Sequence, residues 1–575
     1  VDVGSVDHEH ARTVGAEHVV YETIKGLDEK LRELGFNKPA VDAAIGVIAP
    51  ASAPVTAVQI GDPITQKKMT DFLLLARDRG LYRTITDNGA GGLSSSVGET
   101  ARLSGGCEID LKKAPLKYPG LNPWEILISE SQERMTLAVP PGTIAEFLEL
   151  ARKMDVEATV LGRYTDSGWF HIRYGEETVV YLDMDFLHDG LPQMTLRASW
   201  TPPRHTEPAF PEPADMGDAL KTMLSRLNIC SKESVVRQYD HEVQGGSVIK
   251  PLTGVVNDGP SDAAVIRPLL DSFEGIVIAN GICPRYSDID AYHMAAAAID
   301  EAVRNAIAVG APIDRLAGLD NFCWCDPVQS EKTPDGEYKL AQLVRANQAL
   351  YAITTAYGVP CISGKDSMKN DYQIGSVRIS IPPTLLFSTL GKMEDVRKAV
   401  TMDVKTPGDL VYVLGKTFPE LGASEWYALH NAVGNGVPKV DAKTAKARYE
   451  VLHRAILAGL VASCHDCSDG GLGVTLAETA FAGGLGLEID LRAIPAEGIA
   501  RNDELLFSES QSRFVVTVSP GSREAFEALL VCTDFAKIGT VISEGVLRVD
   551  GLGGKRIIDE QLAALKAAWQ RPLAF

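Results

Sequence analysis

The sequence predicts an α/β (α+β) protein in which one domain is used twice. Two observations carry this expectation. Thr86-Asp-Asn-Gly-Ala-Gly-Gly-Leu93 returns as His465-Asp-Cys-Ser-Asp-Gly-Gly-Leu472, and around both turns short apolar runs alternate with segments of helical period. The echo continues in Glu99-Thr-Ala101 and Glu478-Thr-Ala480, in Glu108-Ile-Asp-Leu111 and Glu488-Ile-Asp-Leu491, and in Ser129-Glu-Ser-Gln132 and Ser508-Glu-Ser-Gln511, at an offset that holds to within one residue. So wide an offset marks a duplicated domain, because solenoid repeats recur every roughly 20–50 residues. Asp, Glu, Ser and Gln return beside Gly, whereas a duplication kept for packing would mainly hold apolar positions in register.

In chain order, residues 1–53 read as an N-terminal remnant whose helix, Glu17 to Leu34, buries one stripe from Val19 to Leu34. Residues 54–199 form the first copy: a strand from Pro54 that ends at Gly61-Asp-Pro63, a helix Thr65–Arg79, a strand Arg83–Thr86, the glycine turn and a helix through Glu99. Strands follow around Cys107–Leu111 and Arg134–Val139, then a helix Thr143–Met154 and strands at Ala158–Gly162 and Phe170–Arg173. Residues 200–234 begin with five prolines in Trp200–Pro213 and read as a linker between halves, followed by a helix. Residues 235–400 are a different domain with an Ala-rich helix, Tyr292–Val309, and a second helix, Leu340–Tyr357; residues 401–575 are the second copy.

A chain of 575 residues exceeds one core, at a prior of roughly 100–200 residues per domain. The net charge of −20 argues against a nucleic-acid surface, so an anionic ligand would need a cation such as Mg²⁺. No apolar run is long enough to span a membrane, and nine scattered cysteines without a secretory leader fit a reduced, cytoplasmic protein. Cys323-Trp-Cys325 and Cys464-His-Asp-Cys467 lack a second pair at zinc spacing and read as thiols. The chain opens on Val1 without Met, so a fragment is expected.

Glycine-rich turns that open helices are phosphate cradles, through free N–H groups and the helix dipole. Asp87 and Asp466 head such turns, although an Asp before Gly-Gly is as often a turn former; its return in both copies favours function. Gly364-Lys-Asp-Ser367 fails the P-loop pattern and reads as a strand-end loop able to touch phosphate. Asp262, Glu301, Asn305 and Asp320 offer hard oxygens, with Glu301 and Asn305 on one helix face, yet spacing alone fits a solvated face better. Ser129-Glu-Ser-Gln132 sits at a strand mouth, where it could grip a polar ligand or merely open the strand.

Val58-Gln-Ile-Gly-Asp-Pro63, Thr86–Leu93, Ser129-Glu-Ser-Gln-Glu-Arg-Met135, Ser363-Gly-Lys-Asp-Ser-Met368 and His465–Leu472 together resemble the phosphoribosylformylglycinamidine synthases, ATP enzymes of purine biosynthesis. The resemblance covers nearly everything from Pro54 onward. It implies tandem aminoimidazole-ribonucleotide-synthetase-like domains that form a pseudo-dimer, with one working site and one structural nucleotide, ADP. For the working site it implies substrate contact by Gln59, Glu130, Ser131, Gln132 and Ser367, Mg²⁺ at Asp87, and ATP near Asp320 and Gly364. Lys365 stands where some relatives carry a metal-binding Asn. For the second site it implies Mg²⁺ at Asp262, Glu301, Asn305 and Asp466, with Ser261 and Ser468 near the nucleotide.

The implied reaction converts formylglycinamide ribonucleotide and ammonia to the amidine at the expense of ATP. The resemblance places the catalytic His in an N-terminal domain outside this sequence. It implies ammonia from a glutaminase subunit or domain and leaves room for a small accessory subunit. Two other readings are a nucleotide-binding scaffold fragment and another ATP enzyme of the superfamily, such as a selenophosphate synthetase, against which the tandem copies count.

Overall fold

The structure is a computed structural model that describes residues 58–59, 62–116, 119–375 and 377–575. The expected helix at Glu17–Leu34 lies outside the described residues. The chain divides into two compact units, the first ending at Thr195 and the second running from Leu196 to Phe575.

Both units contain the duplicated domain, and strand pairing repeats along with sequence. In the first unit Cys107–Asp110 runs parallel to Trp169–Tyr174 and antiparallel to Gly162–Tyr164, and Trp169–Tyr174 pairs with Glu177–Asp183. In the second unit Gly486–Asp490 runs parallel to Val546–Asp550 and antiparallel to Phe535–Ile542, and Val546–Asp550 pairs with Arg556–Gln561. Thr84–Asp87 is antiparallel to Met135–Ala138, just as Ser463–Cys467 is to Arg513–Val518. In the second unit all of these strands belong to one seven-stranded sheet, with Leu410–Leu414 between Arg513–Val518 and Phe535–Ile542. The hairpin strand Glu177–Asp183 escaped the sequence reading. The strand expected at Ala158–Gly162 begins only at Gly162, because Ala158 instead packs beside the cluster of Phe72 and Phe147.

The glycine turns explain why this part of the sequence repeats so closely. Gly91 and Gly470 adopt left-handed φ angles of 83° and 79° and precede the helices Gly92–Arg102 and Gly471–Gly483. A Cβ on Gly92 would stand 2.3 Å from the Ser129 carbonyl, and one on Gly471 would stand 2.4 Å from that of Ser508. Only glycine accepts that φ and that approach, so each turn presses against the mouth of its own Ser-Glu-Ser-Gln segment.

The second unit also carries the different domain. Its six-stranded sheet has the order Cys361–Ser367, Leu316–Cys323, Thr384–Met393, Gly275–Ile282, Ala264–Ile266, Ser247–Ile249. The helices Ala291–Ala308 and Gly336–Tyr357 join the same core, which also takes in Tyr412, Tyr449 and Phe514 from the second copy. Asp290 caps the first helix by accepting from the Tyr292 N–H at 2.9 Å. Alanines on its sheet side bring it so close that a Cβ on Gly281 would stand 2.2 Å from the Ala298 carbonyl.

Trp200–Pro213 is a strap fixed along the second unit. The Asn435 side chain bonds both backbone groups of His205, Phe210 stacks on His430 at 3.9 Å, and the Phe210 carbonyl accepts from Arg501 at 2.9 Å. The proline count reads as a linker between halves; aromatic and amide anchors between the prolines hold that segment in place. Among the described residues no helix is long and apolar enough to cross a membrane.

Candidate functional site

In the second unit, two of the predicted oxygen ligands, Asp262 and Asp466, come from separate segments and meet, and two more, Glu301 and Asn305, stand on the helix whose Arg304 reaches Asp466. Asp262 precedes the strand Ala264–Ile266; its Oδ1 accepts from the Asp466 N–H at 3.0 Å and contacts His465 Nδ1 at 2.8 Å. His465 Nε2 lies 3.0 Å from Glu478 Oε2. One ligand atom each from Asp262, His465 and Asp466 fall within 4.8 Å of one another. On the Ala-rich helix, Glu301 Oε2 accepts from the Ile282 N–H at 2.8 Å, and Asn305 Nδ2 donates to the Asn280 carbonyl at 3.2 Å. Both side chains therefore reach the same strand end, and the solvated face that spacing favoured is overturned: Asn305 is buried and Glu301 half-buried.

Each of the four spends one end on the protein and leaves an oxygen over. Among the described residues Asp262 Oδ2 and Asn305 Oδ1 are buried without a hydrogen-bond partner. Asp466 Oδ2 accepts from Arg304 Nε at 3.1 Å, which leaves its Oδ1. Orphaned buried carboxylate and amide oxygens are costly unless a cation or water completes them, and hard oxygens suit a divalent cation such as Mg²⁺. The residues present fit that group.

The electrostatics point the same way. Burial, with Asp469 adding repulsion, pushes Glu301 up to about 8 and Glu509 up to about 8. Burial, then Glu425 and Asp466, push Asp469 up to about 7. Burial opposes the charged form of His465, yet Asp262 and Glu478 on its two ring nitrogens outweigh it and hold the imidazole well above its ordinary value. Carboxylates that raise one another in a buried cluster are what a bound cation relieves. Glu509 is sealed in, its Oε1 taking the N–H groups of Gly470 and Glu425 and its Oε2 the Tyr286 hydroxyl at 2.7 Å.

The first unit presents the same motif differently. Asp87 is exposed and its Oδ1 accepts from the Gly89 N–H at 2.7 Å, the turn-forming role. Asn88 anchors the turn beneath, donating to the Arg134 carbonyl at 3.2 Å and accepting from Ser96 at 2.9 Å. The short strand Glu130–Ser131 runs parallel to Val58–Gln59, with Gln59 opposite Ser131. Glu130 and Gln132 are exposed, and Ser131 Oγ is buried without a partner among the described residues.

Asp320 and Gly364 are opposite one another on parallel strands, and a Cβ on Gly364 would stand 2.8 Å from Asp320 Oδ1, so glycine makes room for that carboxylate. Burial raises the Asp320 carboxyl, and Asp366 adds to it. The Gly364–Ser367 segment, expected as a loop, belongs to the edge strand Cys361–Ser367, because pairing with Leu316–Cys323 continues to its end. Ser367 Oγ lies 3.2 Å from Asn370 Oδ1. Ser261 Oγ donates to the Ala263 carbonyl at 3.1 Å, and the Ser468 carbonyl accepts from Gly471 within the turn.

Comparison with known proteins follows this division. Residues 41–175 and 406–551 both match the family described as AIR synthase related protein, C-terminal domain; residues 260–381 match the corresponding N-terminal domain. The chain is 34% identical over 531 residues to the phosphoribosylformylglycinamidine synthase subunit PurL of Alkaliphilus metalliredigens, covering 90% of this chain and 68% of that one. The chain belongs to the PurL family. The PurL subunit of Ignicoccus hospitalis is 36% identical over 506 residues, covering 87% of this chain and 67% of the relative, so the sequence spans about two thirds of these PurL proteins. Thermotoga maritima PurL complexed with ADP shares the fold at a TM-score of 0.57 and 23% identity, covering 84% of this chain and 68% of that one. The PurL complexed with FGAR from the same source superposes with a TM-score of 0.56.

Sequence reasoning missed His465, Asp469, Asp300 and Arg304 in this buried cluster. A signal existed for the last two: charged residues four apart on an Ala-rich helix, immediately beside Glu301 and Asn305.

Proposed function

We infer that the chain carries the ligase chemistry of its family: ATP-dependent conversion of formylglycinamide ribonucleotide and ammonia to the formylglycinamidine ribonucleotide of purine biosynthesis. The observation that supports the reading is the meeting of Asp262 with Asp466, beside a helix that carries Glu301 and Asn305 and whose Arg304 reaches Asp466, with Asp262 Oδ2 and Asn305 Oδ1 left over among the described residues.

In the reaction the glycinamide carbonyl oxygen takes the γ-phosphoryl group of ATP, releasing ADP; ammonia adds to the activated carbon, and phosphate leaves with the oxygen as the C–N bond of the amidine forms, the formyl group staying in place. This asks for orientation and charge neutralisation rather than a protein nucleophile. Mg²⁺, when bound, supplies that neutralisation for the phosphates. Asp262, Glu301, Asn305 and Asp466 would hold it in the second unit, with Ser261 and Ser468 beside the nucleotide. Asp87 would hold Mg²⁺ in the first unit, where Gln59, Glu130, Ser131 and Gln132 would contact substrate; in the second unit Asp320 and Gly364 would contact ATP. Ammonia comes from a glutaminase subunit or domain, and the protein works in the cytoplasm.

The burial of Asp466 and Glu509 favours a retained nucleotide at the second-unit site, one that cements the fold rather than turning over. Titration calorimetry with ADP and Mg²⁺, run beside an ammonia-dependent assay with ATP and formylglycinamide ribonucleotide, tests both readings. Binding with turnover supports the ligase; binding without turnover leaves the scaffold; no binding removes both.

A further inference from the structure

Asp300 and Arg304 form a fully buried pair on the Ala-rich helix, and nothing in the reaction uses them. Five donors converge on the two oxygens of Asp300: the hydroxyls of Tyr357 and Tyr449, the Ser512 N–H and hydroxyl, and the Arg304 guanidinium. That leaves Asp300 no free lone pair of note, so it fixes structure and holds no ligand. The donors come from the helices Gly336–Tyr357 and Ala442–Leu457 and from the Ser508–Arg513 strand mouth. Burial, and then Asp300, hold both tyrosine hydroxyls well above their ordinary range, so they remain donors.

Arg304 carries this order into the site. Its Nε donates to Asp466 Oδ2 at 3.1 Å and its Nη1 to Gln511 Oε1 at 3.2 Å, while the same Nη1 reaches Asp300. Asp466 is thereby held from two sides, at its backbone N–H by Asp262 and at its carboxylate by Arg304, with Oδ1 left over. Glu301 and Asn305 follow Asp300 and Arg304 by one residue each, so a clamp on that helix's rotation also sets where their oxygens stand.

We propose that Asp300 and Arg304 are positioning residues: one buried ion pair, tied to three neighbouring elements, sets Asp466, Glu301 and Asn305 in register for the cation of the second-unit site. The proposal rests on the reading that these residues hold a divalent cation with a nucleotide.

The test is Mn²⁺ and ADP binding to the 575-residue chain, followed by the loss of the free Mn²⁺ signal in electron paramagnetic resonance, with the ligand-free melting midpoint measured alongside. Arg304→Gln is expected to weaken Mn²⁺ binding about 10- to 100-fold, the loss typical when a ligand's outer partner is removed. Arg304→Lys restores a donor to Asp466 and is expected to recover at least about threefold of that loss, which a defect in packing alone would not do. Tyr449→Phe and Ser512→Ala each remove a donor from Asp300 without stranding a charge, and keep the test open where Arg304→Gln does not fold; a loss of about two- to tenfold is expected. Asp262→Asn separates the proposal from the reading beneath it. If Asp262→Asn abolishes Mn²⁺ binding at the second-unit site while folded Arg304→Gln, or both donor variants, bind there as the parent does, the positioning role is overturned and the cation site stands. If Asp262→Asn binds unchanged, the cation reading itself fails.

Discussion

In the second copy Asp466 is buried, its N–H on Asp262 and its carboxylate on Arg304; in the first copy Asp87 is exposed and accepts from Gly89 two residues on. The backbone is shared, since Gly91 and Gly470 turn alike and a Cβ on Gly92 or Gly471 would stand 2.3 or 2.4 Å from the equivalent carbonyl, that of Ser129 or Ser508. The surroundings differ. His465 and Asp469 replace Thr86 and Ala90, adding charge, and Glu509 is sealed by Tyr286 where Glu130 is exposed. A turn fixed by steric need can keep its sequence through duplication while its neighbours decide whether the aspartate forms a turn or joins a buried acidic cluster.

The largest effect that would sharpen this contrast is on binding. Asp262→Asn is expected to weaken Mg²⁺ and ADP binding at the second-unit site about a thousandfold, some 4 kcal/mol, whereas Asp87→Asn leaves calorimetric binding at that site within about twofold. Equal losses would erase the distinction between the copies. Next comes the shared backbone: Gly471→Ala and Gly92→Ala each force a left-handed φ and a clash with a carbonyl, and each should destabilise the unit that carries it by about 2–4 kcal/mol in thermal or denaturant unfolding. A large loss in one copy and none in the other would break the claim that the turn is kept for steric reasons.

A smaller effect belongs to the partners. His465→Gln removes the link between Asp262 and Glu478 and should lower Mn²⁺ affinity about tenfold. The smallest is Ser95→Ala, which removes an exposed contact to Glu99 at 3.1 Å and should shift the melting midpoint by no more than about one degree.

The duplication was legible because positive φ and close approach leave glycine no substitute, and because strand pairing follows the same offset as the motifs. The oxygen ligands were legible as residue types, but their company was not. Glu301 and Asn305 looked like a solvated face since helical spacing records which residues share a side and not what covers it. Asp300 and Arg304 were hidden for that reason too: charges four apart read as a surface pair until Tyr357, Tyr449 and Ser512 are seen to close over them. Trp200–Pro213 read as a linker because proline counts report backbone stiffness, whereas the partners of Phe210 and His205 lie more than two hundred residues away. The hairpin strand Glu177–Asp183 hid its pattern under mixed Glu, Thr and Asp.

The most direct test of the central claim, that buried oxygens from separate segments of the second unit hold a cation with a nucleotide, is a crystal structure of the chain grown with Mn²⁺ and ADP and phased at the manganese edge. The account predicts an anomalous peak bounded by Asp262, Glu301, Asn305 and Asp466, with the diphosphate beside it. Manganese bound elsewhere, with those four oxygens left unpaired and no nucleotide near them, would contradict it.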